Sequence, residues 1–519
     1  MGDPLLESAT IWELVEHRAA LTPDAPMLVD AGDRRLTFGE YRDRAERVAA
    51  GLHGLGVAEG TTVTWQLPSS IETIVLTAAL ARLGAMQNPV LHIYREREIG
   101  VVLAGIRPRL YVHPGAWRGT DFGALAAAAI EAAGLPDPPA LLALGEVPEG
   151  DPAALPPPPV DGDAVRWRYY TSGTTSEPKG VRHTDGTLLA GGRGLARALR
   201  LSPAEVGSVA FPFAHIAGPD YLVSMLVNGF SAVVLDTFEP AAAVEVFRRY
   251  GVTVAGGSTA FYQALLNEQR QQPDTPLVPS LRILAGGGAA KPPEVFHAAR
   301  RELGATVYHG YGMTEVPMIT QGAVGDDDEQ LVQTEGAPVA GAELRVVGPG
   351  GDVLGAGEDG EVLVRGPMVC KGYDDPALTA AAFDGEGFFR TGDLGHLRAD
   401  GHLVLTGRLK DVIIRKGENV SAREVEELLY AHPQVGDVAV IGLPDPERGE
   451  RVCAVVETAP GATPLDLPEM VRYLRGAGLM LQKIPEQLEV VEALPRAETL
   501  RKVLKYQLRE QLAAKPWPA

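Results

Sequence analysis

Residues 169 to 180 read YYTSGTTSEPKG: hydroxyls, glycines and one lysine crowded between two hydrophobic regions. A glycine-rich backbone can turn several N–H groups toward one anion, Ser and Thr hydroxyls add donors, and a lysine brings a mobile positive charge. The segment is expected to hold phosphate. It is not a Walker A loop, because Pro178 precedes Lys179 and Gly180 follows it, where that pattern needs a second glycine before the lysine and a Ser or Thr after it.

Outward from this loop the chain alternates. Upstream, Tyr41, Ala45, Val48, Ala49 and Leu52 fall at helical spacing and lead into the β-like TTVTWQL. SSIETIVLTAALARLGA then predicts a helix capped by Ser69 or Ser70, followed by the extended QNPVL. Downstream the rhythm recurs at SAVVLD, AAAVEVFRRYG and VTVAGG, and again around LRILAGGG and ATVYHGYG, which is the pattern of buried sheets flanked by helices. The proline-rich AALPPPPVDGD reads either as an interdomain linker or as a surface loop.

From about residue 340 the texture changes to short strands and Gly-rich turns, read as antiparallel hairpins; after 410 come a helix-like SAREVEELLYAHP, a strand DVAVIGL, a helix LPEMVRYLRGAG and a basic tail. The expected architecture is α/β: a large N-terminal domain of layered β-α-β sheets with a small β-barrel-like part, residues 1–409, and a small mobile α+β domain, residues 410–519.

The 519 residues exceed one ordinary core, and a net charge of −20 with a pI near 5.1 argues against nucleic acid, whose binding needs a clustered positive field. Cys370 and Cys453 stand far apart without metal-ligand spacing, so neither a disulfide framework nor a zinc site is expected. No basic leader and no stretch of about eighteen uncharged apolar residues is seen. The expectation is a cytoplasmic protein without a membrane span.

Three further segments follow the loop in order: YGMTE (311–315), RTGD (390–393) and GRLKDVIIRKGENVS (407–421). Together the four resemble, in order and spacing over nearly the whole chain, the adenylate-forming superfamily of acyl-CoA ligases, adenylation domains and luciferases. The resemblance implies two half-reactions: a carboxylate attacks the α-phosphorus of ATP to give acyl-adenylate and pyrophosphate, and a thiol then displaces AMP. It also implies roles. Thr171, Ser172, Gly173, Thr174, Thr175 and Lys179 would cradle the β and γ phosphates; Ser176 stands where the family usually has glycine. Glu315 would carry Mg²⁺, Thr314 would touch phosphate and Tyr311, with Gly312 beside it, would stack on adenine. Gly287 and Gly288 would let backbone approach the adenine and acyl groups, and Asp393 with Arg408 would hold the ribose. Lys410 matches the hinge, while Lys416 and Gly417 would face the thiol channel and Arg415 would add charge for the CoA phosphates.

The tail departs from the family's Pro-Arg-Thr-x-x-Gly-Lys pattern, reading LPRAETLRKVLKYQLRE. Aligned from the helix side, Lys502 takes the catalytic lysine's place; aligned from Pro495, Arg501 does. Lys502 is preferred, since a compact ammonium fits between two anions better than a planar fork.

FPFAHIAG (211–218) matches the family's acid-pocket motif, with His215 at the mouth between the acid and thiol channels. Amino-acid-activating relatives place an aspartate nearby for the α-ammonium; this stretch has Ala214 and no carboxylate. Relatives that activate 2-hydroxybenzoates place an asparagine after the histidine; here it is Ile216. Val223 to Leu226 and AGGSTAF (255–261) add apolar or small candidates. A neutral apolar acid is expected, fatty or alicyclic, with CoA as acceptor. A carrier-protein arm is the rival acceptor, and a homodimer is left open. A nucleotide sensor and a luciferase-like oxygenase are the readings from other classes.

Overall fold

The computed structural model describes residues 3–171, 178–289, 291–415, 418–445, 448–496 and 503–513. Three layered sheets build the first part. In the first, Val206–Val209, Ser231–Val234 and Pro26–Asp30 run parallel, with Arg35–Thr37 antiparallel at the edge. The second has the order Lys179–Thr184, Val165–Thr171, Met86–Pro89, Thr62–Trp65, Leu110–His113, Ala140–Ala143, and the first two of these form an antiparallel hairpin on an otherwise parallel sheet. The third places Val254–Gly257, Ile283–Gly287 and Thr306–Met313 in parallel, then turns back through Val316–Gln321 to Ala337–Pro338.

Local chemistry sets these elements. Helix Ile71–Leu83 starts where Ser70 accepts from the Thr73 N–H and stops at Gly84, whose left-handed φ of 65° costs glycine nothing. It is buried on nearly all sides, as its uniform apolarity requires. Helix Phe38–Gly54 begins with a reciprocal capping box between Thr37 and Glu40. The proline-rich stretch joins Ala140–Ala143 to Val165–Thr171, two strands of one sheet, so it is a surface loop and not a linker between domains.

A fourth, wholly antiparallel sheet follows: Glu343–Val347, Gly360–Arg365, Phe389–Leu397, Leu403–Arg408. Beyond the short turn Leu409–Asp411 a fifth sheet of Val412–Arg415, Glu418–Ser421, Val435–Asp445, Gly449–Thr458 and Gln487–Val491 packs its own core of Ile413, Val425, Val440, Ala454 and Leu474. The basic tail is in part helical, Lys505–Ala513, and buries Leu508 and Leu512 against Ile441 and Cys453. Both cysteines are free and buried, and no described helix is long and apolar enough to cross a membrane.

Candidate active site

The hairpin of Val165–Thr171 and Lys179–Thr184 meets the tip of a second hairpin. In the first, Thr171 and Lys179 face each other across antiparallel strands and close the base of the loop, while Ser172, Gly173, Thr174, Thr175 and Ser176 lie outside the described residues. In the second, Met313 pairs with Val316, which leaves Thr314 and Glu315 as the turn. One ring joins them: His183, four residues beyond Lys179, donates from Nε2 to the Thr314 carbonyl at 2.7 Å and meets Thr187 Oγ1 through Nδ1 at 2.9 Å. Its burial pulls its pKa down to about 4, so the ring is neutral at physiological pH.

Glu315 is held from behind. The Tyr373 hydroxyl donates to Oε1 at 2.8 Å, and the Cys370 N–H donates to the Glu315 carbonyl at 2.9 Å. Burial, and then the Glu315 charge, raise the Tyr373 pKa, so the phenol stays a donor. The Lys179 ammonium lies 5.8 Å from the centre of the Tyr373 ring, within cation–π reach. A single carboxylate with one oxygen oriented by a phenol fits Mg²⁺, a cation that keeps most of its shell as water and phosphate oxygen. No cluster of three or more His, Cys, Asp or Glu able to hold a metal exists among the described residues.

The expected ribose pair is in contact. Asp393 and Arg408 sit opposite each other on neighbouring antiparallel strands, with Arg408 Nε 2.8 Å from Asp393 Oδ1. The Tyr311 hydroxyl donates to the other oxygen, Oδ2, at 2.5 Å. Burial first, and then the Asp393 charge, lift the Tyr311 pKa well above the usual range. Gly287 ends its strand beside Gly310, and a Cβ there would stand 2.2 Å from the Gly310 carbonyl oxygen; Gly288 follows with φ of 83°. Gly312 is equally confined, its missing Cβ 2.2 Å from the Pro317 carbonyl oxygen.

His215 lies just ahead of helix Ala217–Asn228, partly exposed, with Nδ1 accepting from the Ala217 N–H at 3.3 Å. Around it Phe211, Phe213, Ala214 and Ile216 are buried. Lys410 occupies the turn Leu409–Asp411, where burial and then the neighbouring Arg408 lower its pKa. The Arg415 guanidinium is paired through Nε with Glu486. Lys416, Gly417, Arg501 and Lys502 lie outside the described residues.

Sequence reasoning missed Tyr373, His183 and a pair across the two parts of the chain. Arg423, on helix Ala422–Tyr430, reaches the buried Glu335 at 3.0 Å, and Glu335 in turn lies 3.4 Å from His309 Nε2. None of these residues belongs to a short motif; each is defined by a partner distant in sequence.

Family comparison agrees with this geometry. Residues 15–374 match the model for AMP-binding enzymes, and 424–501 match that for the AMP-binding enzyme C-terminal domain. The chain belongs to the AMP-binding enzyme family. This AMP-binding enzyme is 34% identical to the salicyl-AMP ligase / salicyl-S-ArCP synthetase of Mycobacterium tuberculosis, over 94% of this chain and 88% of that one. To the medium-chain fatty-acid–CoA ligase of Escherichia coli it is 30% identical, over 97% and 90%. Among solved structures, ATP-bound MatB from Rhodopseudomonas palustris superposes with a TM-score of 0.86 at 29% identity, covering 98% of this chain and 99% of that one. The AMP-binding enzyme described here is an adenylate-forming acid ligase.

Proposed function

We propose that the chain activates an apolar carboxylic acid, a medium- or long-chain fatty acid or an alicyclic acid, as its acyl-adenylate and passes the acyl group to coenzyme A. The observation that carries the reading is the placement of the Thr314–Glu315 turn beside the strand of Lys179, with the Asp393–Arg408–Tyr311 cluster on the neighbouring sheet. A nucleotide held with its ribose on Asp393 and its phosphates toward Lys179 would present its α-phosphorus near Glu315.

In the first step a carboxylate oxygen of the acid bonds to the α-phosphorus, the bond to the bridging oxygen of the β-phosphate breaks, and pyrophosphate leaves. Two anions must approach, so charge neutralisation and alignment supply most of the acceleration. Lys179 and the 171–175 segment would take the β and γ phosphates. Glu315 would hold Mg²⁺, which when bound supplies positive charge to the phosphate oxygens. Lys502 would bridge the carboxylate and the α-phosphate. In the second step a thiol sulfur bonds to the acyl carbon and AMP departs. Residues 1–409 and 410–519 are read as two bodies, with Lys410 the pivot that exchanges Lys502 for Lys416 and Gly417 at the site.

Support for an apolar acid comes from Phe211, Phe213, Ala214 and Ile216, buried around His215 with no carboxylate from 211 to 218. Transfer to a carrier-protein arm is the second reading, favoured by the kinship with a salicyl-S-ArCP synthetase. A panel of acids scored for pyrophosphate release, then for thioester with CoA or with a phosphopantetheinylated carrier, separates the two. Lys502→Ala is expected to lower pyrophosphate release by roughly 10²- to 10³-fold while still converting supplied acyl-adenylate to thioester. If Arg501→Ala behaves so instead, the alignment from Pro495 is the right one.

A further inference from the structure

Asp220 breaks the apolar character of the acid side. It lies in helix Ala217–Asn228, is 2% exposed, and neither of its carboxyl oxygens has a hydrogen-bond partner among the described residues. Two hydroxyls share that condition: the Tyr169 phenol, 4% exposed, and Ser224, 1% exposed, are likewise without partners. Ile216 already has helical dihedrals, φ −55° and ψ −26°, so Ile216, Asp220 and Ser224 stand at i, i+4 and i+8 along one face. That face begins at the residue the sequence assigns to the acid pocket.

The direction of the carboxyl group is fixed by its neighbours. A Cβ added to Gly191, on helix Asp185–Leu199, would lie 2.8 Å from Asp220 Oδ1 and 3.1 Å from Pro317 Cβ, and Pro317 is two residues past Glu315. The carboxyl group and Pro317, on the strand that leaves the Glu315 turn, thus both border the space where Gly191 lacks a side chain. Burial pushes the Asp220 pKa well above the carboxylate range, and the phenol of Tyr169, raised chiefly by its own burial, is raised further by Asp220. A buried carboxyl without a partner is costly to the fold.

We propose that Asp220, with the hydroxyls of Tyr169 and Ser224, selects the acyl substrate by taking a primary ammonium group at the far end of the acid's apolar body. Four oxygens without partners, two of the carboxyl group and one of each hydroxyl, are on hand for the three N–H donors of an ammonium, and only a cation gives the buried carboxylate its counter-charge. The amine is not in the α position, because the stretch beside the reacting carboxylate, 211 to 218, carries no acidic residue; Asp220 stands one helical turn beyond Ile216. The proposal rests on the acid-ligase reading and replaces the neutral end of the apolar acid proposed above with an ammonium.

The test uses matched acids, ω-aminoalkanoic and aminocyclohexanecarboxylic acids against their unsubstituted and hydroxylated parents, assayed for pyrophosphate release with the full chain. The wild type is expected to prefer the amines by about 10²-fold or more in kcat/KM. Asp220→Asn should abolish that preference mainly through KM. Asp220→Leu should turn it toward the parent acids and, because an unpaired buried carboxyl is removed, unfold at a higher temperature in the absence of substrate. Parent or hydroxylated acids used as well as the amines by the wild type, or an Asp220→Asn variant that keeps the amine preference, would overturn the assignment. So would an Asp220→Leu variant that unfolds at a lower temperature with its selectivity intact, since that is the signature of a structural carboxyl. Release of pyrophosphate with no acid of any series removes the acid-ligase reading itself, a different outcome from turnover of the parents alone.

Discussion

His183 joins the two hairpins with one imidazole ring, and burial keeps that ring neutral. Burial lowers its pKa from 6.5 to about 4, and Nδ1 and Nε2 are both engaged, by Thr187 and by Thr314, 131 residues away. The sign follows from proton counting: between pH 6.5 and about 4 the unfolded chain binds a proton that the folded chain refuses, so stability declines as pH falls through that window. The loss from this one group is up to about 3 kcal/mol. Urea midpoints measured from pH 7.5 to 4.5 should show a shallower acid-side decline in His183→Gln, whose amide can still donate to the Thr314 carbonyl, than in the wild type; equal slopes would remove His183 from the account. In the sequence, VRHTDG has no mark that sets this histidine apart. Glu315 was legible because YGMTE is a local pattern, whereas Tyr373, which orients it from 58 residues away, was not. Motifs expose groups that meet a ligand; the groups that hold them in place are chosen by the fold.

At the level of elements, the Thr314–Glu315 turn relies on backbone closeness more than on side chains. Gly312 illustrates it, since the oxygen a Cβ would meet belongs to the Pro317 main chain of the returning strand and cannot swing aside as a side chain would. Gly312→Ala is expected to cost about 1–3 kcal/mol in stability and to displace the Thr314–Glu315 turn. The checks are a denaturant melt and the rate of acid-dependent pyrophosphate release, which should fall at least about tenfold, because a misplaced catalytic turn loses alignment before it loses binding. A variant with normal turnover would show that the turn tolerates a wider hairpin. Elements themselves were well announced in sequence: the cap at Ser70, one of the two serines offered, the alternation of apolar strands with helices, and the change to short strands after residue 340 all appear as read. The proline-rich stretch was ambiguous because composition reports an irregular backbone and not what it connects; only the shared sheet on both sides shows it to be a loop.

Across the whole molecule, the Glu335–Arg423 pair is the described ion pair that ties the last sheet's helix to the larger part of the chain. Glu335 is buried and Arg423 partly so; burial lowers the Arg423 pKa, but the Glu335 and Glu427 charges outweigh it and raise the value overall. Breaking such a pair strands a charge unless the parts separate and admit water. Arg423→Ala should therefore speed proteolysis within 409–411 several-fold and alter the ratio of adenylation to thioester formation, while Glu335→Gln/Arg423→Ala should be no worse than either single change. Additive effects in the double variant would mean that the two residues act separately. The sequence foretold a large and a small part but not this contact, since neither residue sits in a motif.

Everything at the three scales converges on one chemical event, transfer of AMP to a carboxylate. Exchange of labelled pyrophosphate into ATP measures it without reference to the final acceptor. With Mg²⁺ and an accepted acid, the wild type should exchange label in an acid-dependent manner, and Glu315→Gln and Asp393→Asn should each reduce that exchange by about 10²-fold. Absence of exchange with every acid offered, or exchange untouched by either substitution, would contradict the account.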